Sequence, residues 1–469
     1  MEDKSWLWRW PEKGQHPNAL VKEARSRIQS PYESTPPPFC YPGTPLTLPE
    51  ELLALAAELL NKQLNCIGCH TEAGEHEGGF ASTQTIEAQA INMIAGELGG
   101  SPETVDGFFC TGGTGGNLQG LWLGREWLRH EITLPEKAEQ FGFNKSGVVV
   151  FATPLTHYSV FKAASILDIA NLEPKECQRC GMLHFSSHAT GHGGVVIPLG
   201  INEQGEMSME QLRSHFAQMR NLGYRRFMVV PTLGTTGMGS IDPIAKIAAF
   251  ASEVNKGESR MYVHVDAAFG GFTVPFANPD FPAAFQNVGV QSASLDGHKM
   301  GQLPYPSGVF LCRKGLLKHV SRPVNYIRGH MDETLEGSRT AIAGILAWSQ
   351  CHILGREGQM AYVGQCLQQR DELVKLILDR FPQANNLSGA SPVKLLPFSP
   401  YVNILPLEVA VDLSQQEAVK AYELRIDLVP SNPKDPFSCP RKISKICVMP
   451  HTFDFLQRFV ADLAIAAAQ

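Results

Sequence analysis

Ser294-Leu295-Asp296-Gly297-His298-Lys299-Met300-Gly301 holds one lysine between a histidine and a methionine. The apolar run Val288-Gly289-Val290 precedes it. Further upstream stands His264-Val265-Asp266-Ala267-Ala268-Phe269-Gly270-Gly271, where an aspartate closes a β-like run at 261–265 and small residues follow. A strand-end aspartate with a lysine about thirty residues later is the pair a pyridoxal phosphate enzyme requires. The amine forms a Schiff base with the aldehyde. The carboxylate keeps the pyridine nitrogen protonated, so the ring can draw off electrons. Taken singly, each residue also fits an ordinary surface lysine or strand end, so the surrounding chain has to decide.

Working outward, residues 105–320 alternate. Apolar β-like runs at 148–151, 227–230, 261–265 and 308–312 are separated by helical stretches at 117–130, 159–169, 209–222 and 244–255. Continuous apolar strands between helices predict a buried, mostly parallel sheet in an α/β domain, with its active site at the carboxyl ends of the strands. Helices are also predicted at 49–64, 83–98 and 453–468, and a long one at 341–381. Strands at 401–405, 427–430 and 445–449 complete a smaller C-terminal unit. The expected organisation is an N-terminal arm and first helix (1–60), a large cofactor-binding domain (61–335), and a connector helix with the small domain (336–469). The first 48 residues carry Trp6, Trp8, Trp10 and Pro36-Pro37-Pro38, an arm whose tryptophans need burial against the main body or a second subunit.

The turn Thr111-Gly112-Gly113-Thr114-Gly115-Gly116-Asn117 opens a helix. Four glycines clear the way for backbone N–H groups to close on an anion, and no Gly-Lys-Ser/Thr follows, which argues against a nucleoside triphosphate loop. His157 ends a strand, where it can stack on a flat ring or hydrogen-bond to backbone. Thr235 and Thr236 lie in a second small-residue turn, to touch a cofactor or to cap. Arg339 precedes a helix and suits a carboxylate, or solvent. The polar segment 321–336 reads as a loop over the site, with Tyr326 or His330 as proton donor.

Composition excludes other classes. The 469 residues are 43% apolar and 18% charged with net charge −6, which gives no basic footprint for nucleic acid or anionic membrane. No apolar run approaches the ~20 residues of a membrane span. The N-terminus lacks a basic-then-apolar leader, and the eleven cysteines fit reduced thiols; both predict a cytoplasmic protein. Cys66-Ile67-Gly68-Cys69-His70 matches a haem-attachment pattern, which belongs to exported chains. Cys177, Cys180, His184 and His188 have metal-like spacing among glycines and serines that disfavour a helix; no metal is expected.

In order, Thr111-Gly-Gly-Thr114 with Asn117, His157-x-Ser159, Gly234-Thr-Thr-Gly237 with Asp242, His264-Val-Asp-Ala-Ala-Phe-Gly-Gly-Phe272, His298-Lys-Met-Gly301, Pro306-Ser-Gly308, Gly337-Ser-Arg339, Leu354-Gly-Arg-Glu-Gly358 and Val448-Met-Pro-His451 resemble the group II pyridoxal-phosphate-dependent amino acid decarboxylases, most of all the archaeal-type L-tyrosine/L-aspartate decarboxylases. The resemblance implies a fold-type I, aminotransferase-like fold with a seven-stranded type of sheet, and a homodimer with shared active sites. It implies Lys299 as the Schiff-base lysine, Asp266 as the pyridinium partner and His157 as the stacking residue. Gly113, Thr114, Gly115 and His298 would lie at the phosphate, Thr235 near the cofactor, Ala268 on the ring face, and Arg339 and Phe80 toward the substrate. The chain departs from the family at Gly297, where proline is usual, at Gly115-Gly116, and around residues 72–80. The expected reaction is α-decarboxylation of an L-amino acid to its amine. The alternative is retro-aldol cleavage of the sphingosine-phosphate lyase type.

Overall fold

The computed structural model describes residues 16–28, 30–46, 48–69, 71, 80–132, 147–176, 183–189, 194–325 and 331–468. In chain order the helices are α1 Pro17–Arg27, α2 Glu50–Leu60, α3 Ala81–Glu97, α4 Gly113–Glu131, α5 Tyr158–Ile166, α6 Met209–Asn221, α7 Ile244–Val254, α8 Val274–Ala277, α9 Ala341–Arg380, α10 Glu417–Lys420 and α11 Leu456–Ala467. The strands are β1 Val105–Cys110, β2 Val148–Ala152, β3 Ala170–Glu176, β4 Leu183–Ala189, β5 Val195–Pro198, β6 Arg226–Val229, β7 Arg260–Asp266, β8 Ser292–Asp296, β9 Gly308–Arg313, β10 Arg322–Pro323, β11 Met331–Asp332, β12 Val393–Leu395, β13 Ile404–Val409, β14 Ile426–Pro430 and β15 Pro440–Cys447.

Seven strands form one sheet in the order β1-β9-β8-β7-β6-β2-β5. The β8-β7-β6-β2-β5 neighbours are all parallel, while β9 runs antiparallel to both β1 and β8. This is the α/β, fold-type I arrangement. Helices cover both faces, so a strand such as β2 needs apolar residues throughout. Its alternate side chains enter opposite cores: Val149 and Phe151 pack with Phe227, Val263 and Leu295, while Val148 and Val150 pack with Leu121, Val160 and Tyr262. Each such fully buried aliphatic side chain contributes roughly 2 kcal/mol.

β8 departs from the sequence pattern. The run at 288–290 is not a strand; the strand is Ser292-Ala293-Ser294-Leu295-Asp296, all buried. Its two serines are satisfied by side chains of neighbouring elements, Ser292 by Tyr262 and Ser294 by Asn117, so the strand needs no apolar run.

The second sheet, β12-β13-β15-β14, is antiparallel throughout and shares its core with α9 and α11 through Leu373, Ile377, Leu405, Leu407, Ile446 and Phe459. Part of the N-terminal arm joins it. Phe39 is fully buried against Tyr422 and Phe459, and the Phe39 backbone bonds to Tyr422 and Cys447. α1, unforeseen from sequence, buries none of its residues. α9 matches the expected long helix to within a residue but is broken at Gly355, where φ is +60° and ψ 178°.

Candidate active site

The carboxyl ends of β1, β2, β7 and β8 converge on a cavity of about 230 Å³. Each contributes for a local reason. β1 ends at Cys110, and the glycine turn starts α4 at Gly113, so the first N–H groups of a 19-residue helix face the cavity with no intrahelical partners. Glycine is needed here. A Cβ at Gly113 would stand 2.9 Å from Asp296 Oδ2 and 3.1 Å from Ala268 Cβ, and one at Gly308 on β9 would run into the Gly112 backbone. His157 caps α5, its Nδ1 accepting from the Ser159 N–H at 3.3 Å. Asp266 is the last residue of β7 and Asp296 the last of β8. Lys299 and His298 follow on the next turn.

Lys299 Nζ lies 2.9 Å from Asp296 Oδ2, and Asp296 Oδ1 accepts from the Gly113 N–H at 2.5 Å. Asp266 is almost fully buried. Asn117 Nδ2 donates to its Oδ2 at 2.9 Å and the Ala268 N–H to its Oδ1 at 3.1 Å. Burial lowers the pKa values of His157 and His298, and in His157 it outweighs the opposite pull of Asp266. The Tyr305 ring stacks on His298 with centroids 3.9 Å apart. Thr111 Oγ1 donates to Glu336 Oε1 at 3.1 Å, which ties the segment before Arg339 to the glycine turn.

The cavity thus brings together Lys299, His157, Gly113, Thr114, Gly115, Ala268 and His298, with Asp266 behind Asn117. Three expected residues are not among them. Thr235 is fully buried, its hydroxyl 2.7 Å from Ser240 Oγ inside the turn bridged by Leu233 and Ile241, so it holds the turn together. Arg339 is buried with its fork already occupied by both oxygens of Glu87 and by the carbonyls of Phe109 and Gly68. It braces α3, β1 and the start of α9 and has no fork left for a substrate carboxylate. Phe80 sits half-buried at the start of α3, away from the cavity lining. Tyr326 and His330 lie outside the described residues. Asp296, Tyr305 and Glu336 were not anticipated. The sequence signal for Asp296 is an acidic residue three positions before a lysine on a turn.

Of the other cysteine motifs, Cys66 is buried against the Glu87–Arg339 pair and the Cys69 thiol meets the Gly107 carbonyl at 3.3 Å, both turned into the fold. Cys177 and Cys180 lie outside the described residues, while His184 and His188 fall on β4. Among the described residues no group of three or more His, Cys, Asp or Glu gathers as a metal site, and no helix is long and apolar enough to cross a membrane.

Residues 11–384 match the model of the pyridoxal-dependent decarboxylase conserved domain. The chain belongs to the pyridoxal-dependent decarboxylase family. This decarboxylase is 29% identical over 317 residues to a tryptophan decarboxylase of Clostridium sporogenes, covering 67% of each chain. It is 27% identical over 390 residues to a probable L-aspartate decarboxylase of Archaeoglobus fulgidus, covering 82% of this chain and 85% of the relative. A solved glutamate decarboxylase of Lactobacillus brevis superposes with TM-score 0.70 at 18% identity, over 98% of this chain and 94% of that one. A sphingosine-1-phosphate lyase of Burkholderia pseudomallei superposes with TM-score 0.68 at 18% identity, over 98% and 92%. At that identity these structures share the fold, which decarboxylase and lyase have in common. The family match decides between the two expected reactions: the enzyme is a carboxy-lyase acting on an amino acid with pyridoxal phosphate.

The residues present fit that cofactor. His298 Nδ1 is buried without a hydrogen-bond partner among the described residues beside the glycine turn, the helix N-terminus suits a dianion, and Asp266 supplies a carboxylate for a ring nitrogen.

Proposed function

We propose that Lys299 is the amine that holds the cofactor. In this reading Asp266 faces its ring nitrogen, His157 covers one ring face and Ala268 the other, and Gly113, Thr114, Gly115 and His298 bind its phosphate. The observation that supports this is the opening of an amine, an imidazole and a helix N-terminus onto one cavity, backed by a buried carboxylate. Bound pyridoxal phosphate supplies an electron-accepting pyridinium ring. Asp266 keeps that nitrogen protonated, since two donors already orient its carboxylate. His157 excludes water from the ring face and stays neutral at neutral pH because burial disfavours its cation. With the cofactor bound, Lys299 would be the amine exchanged for that of the substrate, and Tyr326 or His330 would hold the proton returned to Cα. The substrate is an L-amino acid.

The enzyme acts as a homodimer in this proposal. α1 exposes Leu20 and Val21, Ile28 just after it is exposed too, and no residue of the helix is buried. Eleven residues do not hold a helix in water unaided, so a second subunit is its packing partner. A cytoplasmic setting accords with nine free thiols among the described residues.

The test is carbon dioxide release from a panel of aspartate, glutamate, tyrosine, tryptophan, cysteine sulfinate and diaminobutyrate. Lys299→Ala should abolish turnover and the yellow, borohydride-sensitive absorption together. Undiminished amine production by that variant would sink the proposal.

A further inference from the structure

Behind the cavity a set of buried polar groups passes hydrogen bonds in one direction. At its centre is Asn117, 1% exposed on the first turns of α4. Its Nδ2 lies 2.9 Å from Asp266 Oδ2 and 2.8 Å from Ser159 Oγ; its Oδ1 lies 2.6 Å from Ser294 Oγ and 3.0 Å from His264 Nε2. His264 Nδ1 is 2.7 Å from Ser292 Oγ, which is 2.8 Å from the Tyr262 hydroxyl. On the other branch, Ser159 Oγ is 2.7 Å from His157 Nδ1.

The proton positions follow from donor chemistry. A carboxylate accepts and does not donate, so the Asn117 NH2 faces Asp266 and its carbonyl faces His264. His264 therefore carries its proton on Nε2. Burial pushes its pKa down to about 4, so the ring is neutral and the bare Nδ1 accepts from Ser292, which in turn accepts from Tyr262. At His157 the backbone N–H of Ser159 can act as a donor alone, so Nδ1 is an acceptor there. The Ser159 hydroxyl takes a hydrogen bond from Asn117 and gives its own proton to the same Nδ1. The proton of neutral His157 is left on Nε2.

We propose that Asn117 is the positioning residue of this site. By donating to both Asp266 and Ser159 it orients the carboxylate behind the ring nitrogen and, through Ser159, fixes His157 as the Nε2–H tautomer. This rests on the site reading above and adds what joins its parts. The carboxylate and the imidazole are set by one amide, so they cannot drift independently.

The experiment is two-bond proton–nitrogen NMR on holoenzyme labelled with 15N-histidine, with His157 and His264 assigned by His157→Gln and His264→Gln. Wild type should show both rings as single Nε2–H tautomers. Ser159→Ala leaves Nδ1 only the longer 3.3 Å backbone contact without the 2.7 Å hydroxyl one, and Asn117→Asp gives the Ser159 hydroxyl a carboxylate to turn toward, so each should raise the Nδ1–H fraction at His157, which Ser159→Thr, keeping the hydroxyl, should not. An ordinary hydrogen bond lost at this position corresponds to a roughly 3- to 10-fold drop in kcat with KM little changed, for Ser159→Ala but not Ser159→Thr. An Nδ1–H tautomer at His157 in wild type, or a single Nε2–H tautomer persisting in both variants, overturns the proposal, and the wild-type spectrum decides even if a variant does not fold. Mass mapping of the borohydride-fixed cofactor separates the two readings. Labelling elsewhere than Lys299 defeats the site assignment, whereas labelling at Lys299 with the wrong tautomer defeats the role of Asn117 alone.

Discussion

Lys299 Nζ and Asp296 Oδ2 form an ion pair at 2.9 Å, and the other oxygen of the same carboxylate takes the Gly113 N–H. One aspartate thus holds the amine and the first turn of the anion-binding helix in register. Asp296→Ala releases both. A hydrogen bond to a charged group is worth about 1.5–3 kcal/mol, so retention of pyridoxal phosphate should weaken on the order of 10-fold or more, read by titrating the absorbance of apoenzyme. Unchanged affinity would show that Asp296 is a bystander.

Glu336 places a carboxylate beside the same turn, bonded to Thr111. A dianion bound at Gly113–Gly115 meets this charge. Glu336→Gln keeps an acceptor for Thr111 and removes the repulsion. Cofactor affinity should rise about 3- to 5-fold at low ionic strength, and the gain should shrink in 0.5 M salt, roughly as screening of ~1 kcal/mol requires. A salt-independent gain would point to a steric effect.

Arg339 is predicted to matter for stability rather than for substrate choice. Its pair with Glu87 is buried on both sides. Arg339→Met strands a buried carboxylate, at a cost of about 3–5 kcal/mol, and adding Glu87→Leu should recover most of it. Urea unfolding measures the cycle. The double variant should keep the parent's substrate preference; a change of preference would return Arg339 to the site.

Two buried groups give folding stability opposite slopes with pH. Burial pushes Asp242 up to about 7 and His264 down to about 4, against ordinary values of about 3.9 and 6.5. The Asp242 contribution is complete below about pH 4 and is lost as pH rises to 7. The His264 contribution is complete above about pH 6.5 and is lost as pH falls to 4. Asp242→Asn should therefore lose stability more steeply than wild type on acidification across that window, and His264→Gln less steeply. Parallel curves from urea melts at pH 7, 5.5 and 4.5 would contradict both assignments.

The proposed reading gives delivery of the proton to Cα to Tyr326 or His330. Tyr326→Phe and His330→Gln should separate them: the donor's loss costs on the order of 10²–10⁴ in kcat with cofactor absorption intact, and the other variant stays close to wild type. Two near-normal enzymes would move the donor out of residues 321–336.

The large sheet was legible because β2, β6, β7 and β9 are buried on both faces and read as apolar runs. β8 was not, because Ser292 and Ser294 owe their burial to Tyr262 and to Asn117, which is 177 residues from Ser294. The same limit separates the site residues. Lys299, His157 and the glycine turn lie at strand ends, where chain order alone predicts convergence. Thr235 and Arg339 have the same local sequence character as ligands do. What distinguishes them is a partner remote or hidden in the turn: Glu87, 252 residues away, for the arginine, and Ser240 across a bridge for the threonine. Asn117 was visible as a motif residue but not as a hub, since its four partners come from three separate segments, α5, β7 and β8.

The contact of Gly308 with the Gly112 backbone bears on how this enzyme can change. The glycine turn rests directly on the neighbouring strand, with no side chain between them to repack. New substrates must be accommodated elsewhere on the cavity wall, as at Tyr305. Random libraries spanning residues 110–116 and 307–309 should return almost no active clones, while the same mutational load around Tyr305 should return many with altered preference.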